Sequence, residues 1–213
     1  MARSRAAGRY RRRGAASYRS RRPRRCACRP TGAPSRFAAG VGRAGRPLML
    51  AAMTTPLLPR RSADEQIRLD AALTDLIEHR ITFNQVLGLT VQALLPHLVL
   101  RFDMRPDLVG HAHYGRLHGG VISAVLDALG GGALMVGLGE KHPHESCEHV
   151  MHRFLKIGTI DLRVDFLRPG LGRYFTASAE ILRLGGRVGS TQMRLHNDDG
   201  LLIASAAAAY IVS

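Results

Sequence analysis

From Ser62 onward, apolar and polar residues recur with two different periods. Ser62-Ala63-Asp64-Glu65 has the form of a capping box. Leu69, Ala72, Leu73, Leu76 and Ile77 then fall on one stripe, which predicts an amphipathic helix to about Arg80. Residues 89–95 and 97–105 read as two short strands broken near Pro96. Residues 107–117 form a polar, histidine-bearing loop that leads into a long apolar helix over about 118–138. Residues 140–156 are charged and histidine-rich, with space for a short helix.

The period then changes to two. Over 159–168, Ile160, Leu162, Val164 and Phe166 face one way, while Asp161, Arg163 and Asp165 face the other. Pro169-Gly170 turns the chain, and 173–183 puts Phe175, Ala177, Ala179 and Ile181 on one face. Gly185-Gly186 and Asn197-Asp198-Asp199-Gly200 mark two hairpin turns, with strands at 187–196 and 201–212. A long apolar helix followed by an antiparallel meander predicts an α+β design, a sheet wrapped around that helix.

The apolar run from Val121 to Gly139 raises the possibility of a membrane span. It contains Asp127 and five glycines and is of marginal length, so it reads as a buried core helix instead. A formal net charge of +15 likewise raises nucleic-acid binding. That charge is unevenly spread. Residues 1–61 carry 17 arginines and no acid, whereas 62–213 hold 14 basic and 16 acidic residues, a net −2. No nucleic-acid partner is therefore expected of the folded part.

The leader is rich in Arg, Ala, Gly, Ser and Pro without apolar periodicity, which predicts disorder. Three readings of it stay open. One is a start set too far upstream, with Met49 or Met53 as the true start; another is an organelle transit peptide; the third is a basic arm for RNA or anionic lipid. The 29 arginines against two lysines suit a GC-rich genome, which favours the first. The remaining 62–213 fits one domain. Cys26, Cys28 and Cys147 give no disulfide framework, so a reducing compartment, the cytoplasm, is expected.

The densest chemistry lies between His118 and Asp127. Gly119-Gly120 opens the apolar helix, where backbone N–H groups lack intrahelical partners and can be closely approached. Those groups suit a carbonyl oxygen that becomes negative. Asp127, two turns inside, is costly on such a helix unless it is paired, wet or used. An oxyanion donor with a carboxylate on one helix suggests acyl transfer. Structural readings exist for each: glycines for close helix–sheet packing, Thr159 as a strand former, Arg163, Arg168, Arg173 and Arg187 as a solvated face. His142, His144, Cys147, His149 and His152 do not match a standard zinc spacing. No Ser-His-Asp order, phosphate loop or dinucleotide fingerprint occurs.

His118-Gly119-Gly120, the aspartate nine positions after the histidine, and Leu167-Arg168-Pro169-Gly170 together resemble a hotdog-fold acyl-CoA thioesterase. The similar subgroups are the phenylacetate-degradation type and the YigI-like enzymes. Residues 158–170 and Phe83-Asn84-Gln85-Val86-Leu87-Gly88 look especially like the latter. The resemblance covers roughly residues 64–213. It implies hydrolysis of a medium- or long-chain fatty acyl-CoA, without metal or cofactor. It implies Asp127 as general base or nucleophile, Gly119 N–H as the donor to the thioester carbonyl, and His118 as the residue orienting the loop. Thr159 would position the attacking water. Gly120, Arg168, Gly170 and Asn84 would contact substrate, the Arg168–Gly170 loop at the CoA phosphates.

The resemblance also implies a homodimer, or dimer of dimers, whose sites draw on two subunits. One position departs from the pattern. The family's usual asparagine, six residues before the motif histidine, is Ala112 here, with His111 and His113 as candidate replacements. Alternatives are a non-catalytic hotdog protein binding acyl-CoA or acyl carrier, a nucleic-acid-associated protein acting through the leader, and a dehydratase. The dehydratase calls for a helix histidine where Asp127 stands.

Overall fold

The computed structural model describes residues 59–213. The leader, up to residue 58, and the expectation of its disorder lie outside the described residues. Helix α1 (Ala63–Asp75) begins where Ser62 accepts the Glu65 N–H at 3.2 Å. Glu65 does not complete the box. Its Oε2 accepts the Cys147 N–H at 2.9 Å, the first amide of a later helix, and so ties two helices together. The apolar stripe runs on through one widened turn, Leu76–Arg80, closed by the Ile81 N–H on the Leu76 carbonyl. The helix reaches Arg80 as predicted, but by changing its pitch. A six-residue helix that the periodicity does not predict, α2 (Thr82–Leu87), follows it. It ends at Gly88, whose φ of 72° is the usual left-handed helix stop.

The predicted strands form β1 (Thr90–Ala93) and β2 (Val99–Asp103). The 107–117 segment is more ordered than its polarity suggests. A 3₁₀ turn at Pro106–Leu108 leads into a small hairpin of β3 (Val109–His111) and β4 (Arg116–Leu117). Helix α3 (Gly119–Lys141) and helix α4 (Cys147–Phe154) precede the meander. The meander is β5 (Gly158–Phe166), β6 (Tyr174–Leu184), β7 (Val188–Asn197) and β8 (Leu202–Ile211). Six strands make one antiparallel sheet in the order β1-β2-β6-β7-β8-β5, which leaves β5 at an edge.

Helix α3 packs on the sheet. Val125, Leu126, Leu129 and Leu134 share one core with Phe102, Phe175, Met193 and Leu195. Burial of each such side chain contributes about 1.5–3 kcal/mol. The Phe102 and Phe175 rings stack across β2 and β6 with centroids 5.3 Å apart. Ala204, Ala206 and Ala208 of β8 are buried too, and their small size lets the helix approach the sheet. By length and composition α3 would suit a bilayer, yet most of it is covered by its own domain.

Strand β5 departs from the strict alternation. Thr159 pairs with Tyr210 and Asp161 with Ala209, so Ile160 is an inserted bulge residue. Paired residues of an antiparallel ladder share a face, so Thr159 lies on the same side as Tyr210, toward α3. Leu162 and Val164 remain half-buried, but Ile160 leaves their face and is 59% exposed. Phe166, at the far end of this edge strand, is 56% exposed. The expectation that Ile160, Leu162, Val164 and Phe166 face one way is therefore corrected at Ile160 alone; the register keeps the other three together.

Candidate active site

His118 is held from three directions. Its N–H donates to the Leu108 carbonyl at 2.8 Å, Leu117 N–H donates to the Gly170 carbonyl at 2.9 Å, and Gly110 lies hard against its Cα. Fixed in this way, His118 caps α3: its Nδ1 accepts the Gly120 N–H at 2.9 Å. That bond places the ring proton of a neutral imidazole on Nε2. It also separates the two glycines. Gly120 N–H is occupied, whereas Gly119 N–H has no acceptor among the described residues. The Phe166 ring lies beside Gly119, close enough to be in contact with any added Cβ.

The carboxylate of Asp127 is two turns further along α3. It lines a cleft of about 460 Å³ between α3, α2 and the start of β5. Thr159 Oγ1 donates to Asp127 Oδ1 at 2.9 Å. The Tyr210 hydroxyl lies 3.0 Å from the Asp127 carbonyl and 3.3 Å from the same Oδ1. Asp127 Oδ2 meets no donor among the described residues. One carboxylate oxygen is thus held and the other is free for a water molecule. Ala124, Ala128, Gly131 and Met135 supply the cleft's apolar floor on α3.

A family model described as the thioesterase superfamily matches residues 114–204, a span that includes His118, Gly119, Asp127 and Thr159. The protein named medium/long-chain acyl-CoA thioesterase YigI from Salmonella typhimurium is 39% identical over 139 residues. That match covers 65% of this chain and 90% of the relative. This chain belongs to the thioesterase superfamily. The Escherichia coli protein of the same name is 37% identical over the same length. A crystal structure from Shewanella oneidensis, of a protein related to the thioesterase superfamily, aligns with a TM-score of 0.66 at 33% identity. It covers 72% of this chain and all of the other. The antiparallel sheet around a long helix is therefore the hotdog fold.

In this thioesterase the candidate residues divide into two groups. Asp127, Thr159 and Asn84 meet at the cleft, and His118, Gly119 and Gly120 at the start of α3. Eight residues separate Gly119 from Asp127, about 12 Å along a helix. Asn84 is buried, and its Nδ2 donates to the Ile77 carbonyl at 2.9 Å, which ties α2 to the widened turn. Gly170 is buried against Leu117, where a Cβ would come within 2.9 Å of the leucine's own, so it buttresses the His118 loop. Arg168 is exposed and donates through Nη1 to the Leu202 carbonyl at 2.9 Å. Ala112 is exposed in the β3–β4 turn, where the rings of His111 and His113 pack on Tyr114 at 4.8 and 5.0 Å.

The histidine-rich segment spreads its polar groups over separate partners. His142 lies 3.6 Å from Glu145, His149 Nδ1 3.0 Å from Ser146 Oγ, and His144 Nδ1 2.9 Å from the Pro59 carbonyl. Burial, reinforced by the Glu65 carboxylate, pushes the Cys147 thiol above its ordinary range. Among the described residues no three His, Cys, Asp or Glu side chains are placed to hold a metal.

Sequence reasoning missed Tyr210. It is 1% exposed, and burial together with the Asp127 carboxylate pushes its phenol far above the ordinary range. The signal was a single aromatic residue in a last strand otherwise made of small and aliphatic side chains.

Proposed function

We propose that this thioesterase hydrolyses medium- or long-chain acyl-CoA to the free acid and CoA. The carrying observation is Asp127: a carboxylate in an apolar cleft with Oδ1 anchored by Thr159 and Oδ2 open. Oδ2 takes a proton from water as the water oxygen attacks the thioester carbonyl carbon. The oxyanion that forms is met by a free Gly119 N–H. Collapse breaks the C–S bond, and the leaving thiolate recovers the proton from Asp127. The names of the relatives support acyl-CoA as the substrate class.

The two halves of this chemistry act across two copies of the chain. A carbonyl and one bridging water span two hydrogen bonds of roughly 3 Å each, well short of the helix spacing between Gly119 and Asp127. Strand β5 is an edge with unpaired backbone groups and exposed Ile160 and Phe166, which suits pairing with a second copy. Such pairing would present the α3 start of one protomer to the Asp127 cleft of the other.

The test is hydrolysis across acyl-CoAs of increasing chain length. Asp127→Ala and the near-isosteric Asp127→Asn are each expected to lower kcat by about 10²–10⁴-fold while the protein stays folded. Unchanged turnover in both variants would make Asp127 structural and end this reading.

A further inference from the structure

We propose that Tyr210 is a positioning residue for Asp127, its phenol acting with Thr159 to hold the base in one rotamer. This rests on the reading of Asp127 as general base. The phenol is buried and lies against both the backbone and the side chain of Asp127, at 3.0 Å and 3.3 Å. A hydroxyl shared between these two acceptors links the side-chain torsion of Asp127 to the helix that carries it. Thr159 approaches the same Oδ1 from β5, so two adjacent strands each contribute one donor. Free rotation would otherwise let either carboxylate oxygen turn into the cleft. With both donors on Oδ1, Oδ2 is the oxygen presented to water.

The surroundings are shaped to hold that hydroxyl. A Cβ on Gly130 would lie 2.3 Å from the phenol oxygen and 2.9 Å from Thr191 Oγ1, so only glycine lets both hydroxyls reach the helix. Glycine at this mid-helix position costs roughly 1 kcal/mol relative to alanine, and the close approach of Tyr210 accounts for its presence. Thr191 is fully buried on β7, and its Oγ1 donates to Met193 Sδ at 3.0 Å. Gly130 thus leaves the space in which the phenol reaches Asp127. Among the residues lining the cleft only Asp127 and Tyr210 titrate. The high phenol pKa that burial and Asp127 impose keeps Tyr210 a donor at every working pH.

The test uses Tyr210→Phe in the full-length chain, which keeps the ring and removes the hydroxyl. A donor to a carboxylate favours its charged form, so its loss raises the apparent pKa of the base. Tyr210→Phe is expected to lower kcat by about ten- to a hundredfold, the range for a hydrogen bond to a charged group. KM stays within about twofold, because the missing hydroxyl is directed at Asp127. The acid limb of kcat/KM moves to higher pH. In an Asp127→Asn background the same change adds little further loss, because the group it positions is gone.

Gly130→Ala, whose Cβ would come within 2.3 Å of the phenol oxygen and push it off Asp127, should move the acid limb the same way. This variant carries the test if Tyr210→Phe does not fold. An unmoved acid limb in the folded variant overturns the proposal, as does a full additional loss on top of Asp127→Asn. Retention of activity by Asp127→Asn alone would instead overturn the general-base reading, so the two failures are distinguishable.

Discussion

Gly119 is a rare position where a backbone donor can be deleted without breaking a helix. It is the first residue of α3, and the preceding His118 has φ −68° and ψ 136°. Proline is tolerated at a first helical position, where its missing N–H has no intrahelical partner, and it asks for an extended residue before it. Gly119→Pro should therefore keep the melting temperature while lowering kcat by about 10²–10³-fold, the cost of one oxyanion donor. Wild-type turnover in that variant would remove Gly119 from the chemistry. At this scale the sequence was informative where a residue type is costly. An aspartate in an apolar helix and a glycine pair at its start stand out from composition alone. Tyr210 did not, because an aromatic in a strand has an ordinary structural reading, and Asn84 was named only through the resemblance. Only the fold brings Tyr210 to Asp127.

Elements were legible in proportion to their length and regularity. The long helix follows from its uninterrupted apolar run, and the four-strand meander from a period of two. Helix α2 has six residues, too few for a period, and its exposed Phe83 and Val86 hide its inward side. The bulge in β5 was illegible for a different reason. Alternation runs unbroken through Ile160, and nothing in the residue types marks an inserted position. Its effect on the site is direct. Strict alternation would put Thr159 on the outer face with Asp161; the bulge turns it toward Asp127. Thr159→Val keeps the strand and removes the hydroxyl that the bulge turns toward Asp127. The expected outcome is a folded protein, by circular dichroism and melting, with kcat at least about tenfold lower. Full activity in Thr159→Val would show that Thr159 is dispensable.

For the molecule as a whole, charge divides what periodicity divides. The arginine-rich leader holds the excess positive charge, and 62–213 is close to neutral. The Ser62 cap, the α1 stripe and every group at the cleft lie beyond residue 61. Removal of residues 1–58 is accordingly expected to leave melting temperature and chain-length profile unchanged. A clear fall in either would move the domain boundary upstream. The whole-molecule fold was readable because the α+β order constrains layers strongly. The proposed pairing of copies has its sequence support in the resemblance, since one chain's sequence does not describe its partner.

The helix spacing between Gly119 and Asp127 has a consequence for inheritance of defects among subunits. If each site takes its donor from one copy and its base from another, a chain damaged at one place is intact at the other. Mixing inactive Gly119→Pro chains with inactive Asp127→Asn chains, with exchange by unfolding and refolding, makes half of all dimers mixed. Each mixed dimer has one whole site and one doubly damaged site, so the blend should recover about a quarter of wild-type activity. Sites contained within single chains would recover none. Dilution has a matching effect: a lone protomer carries two half-sites and no whole one, so specific activity should fall as mass photometry shows dimers giving way to monomers. Two lesions that each abolish turnover would thus offset one another in trans and never in cis.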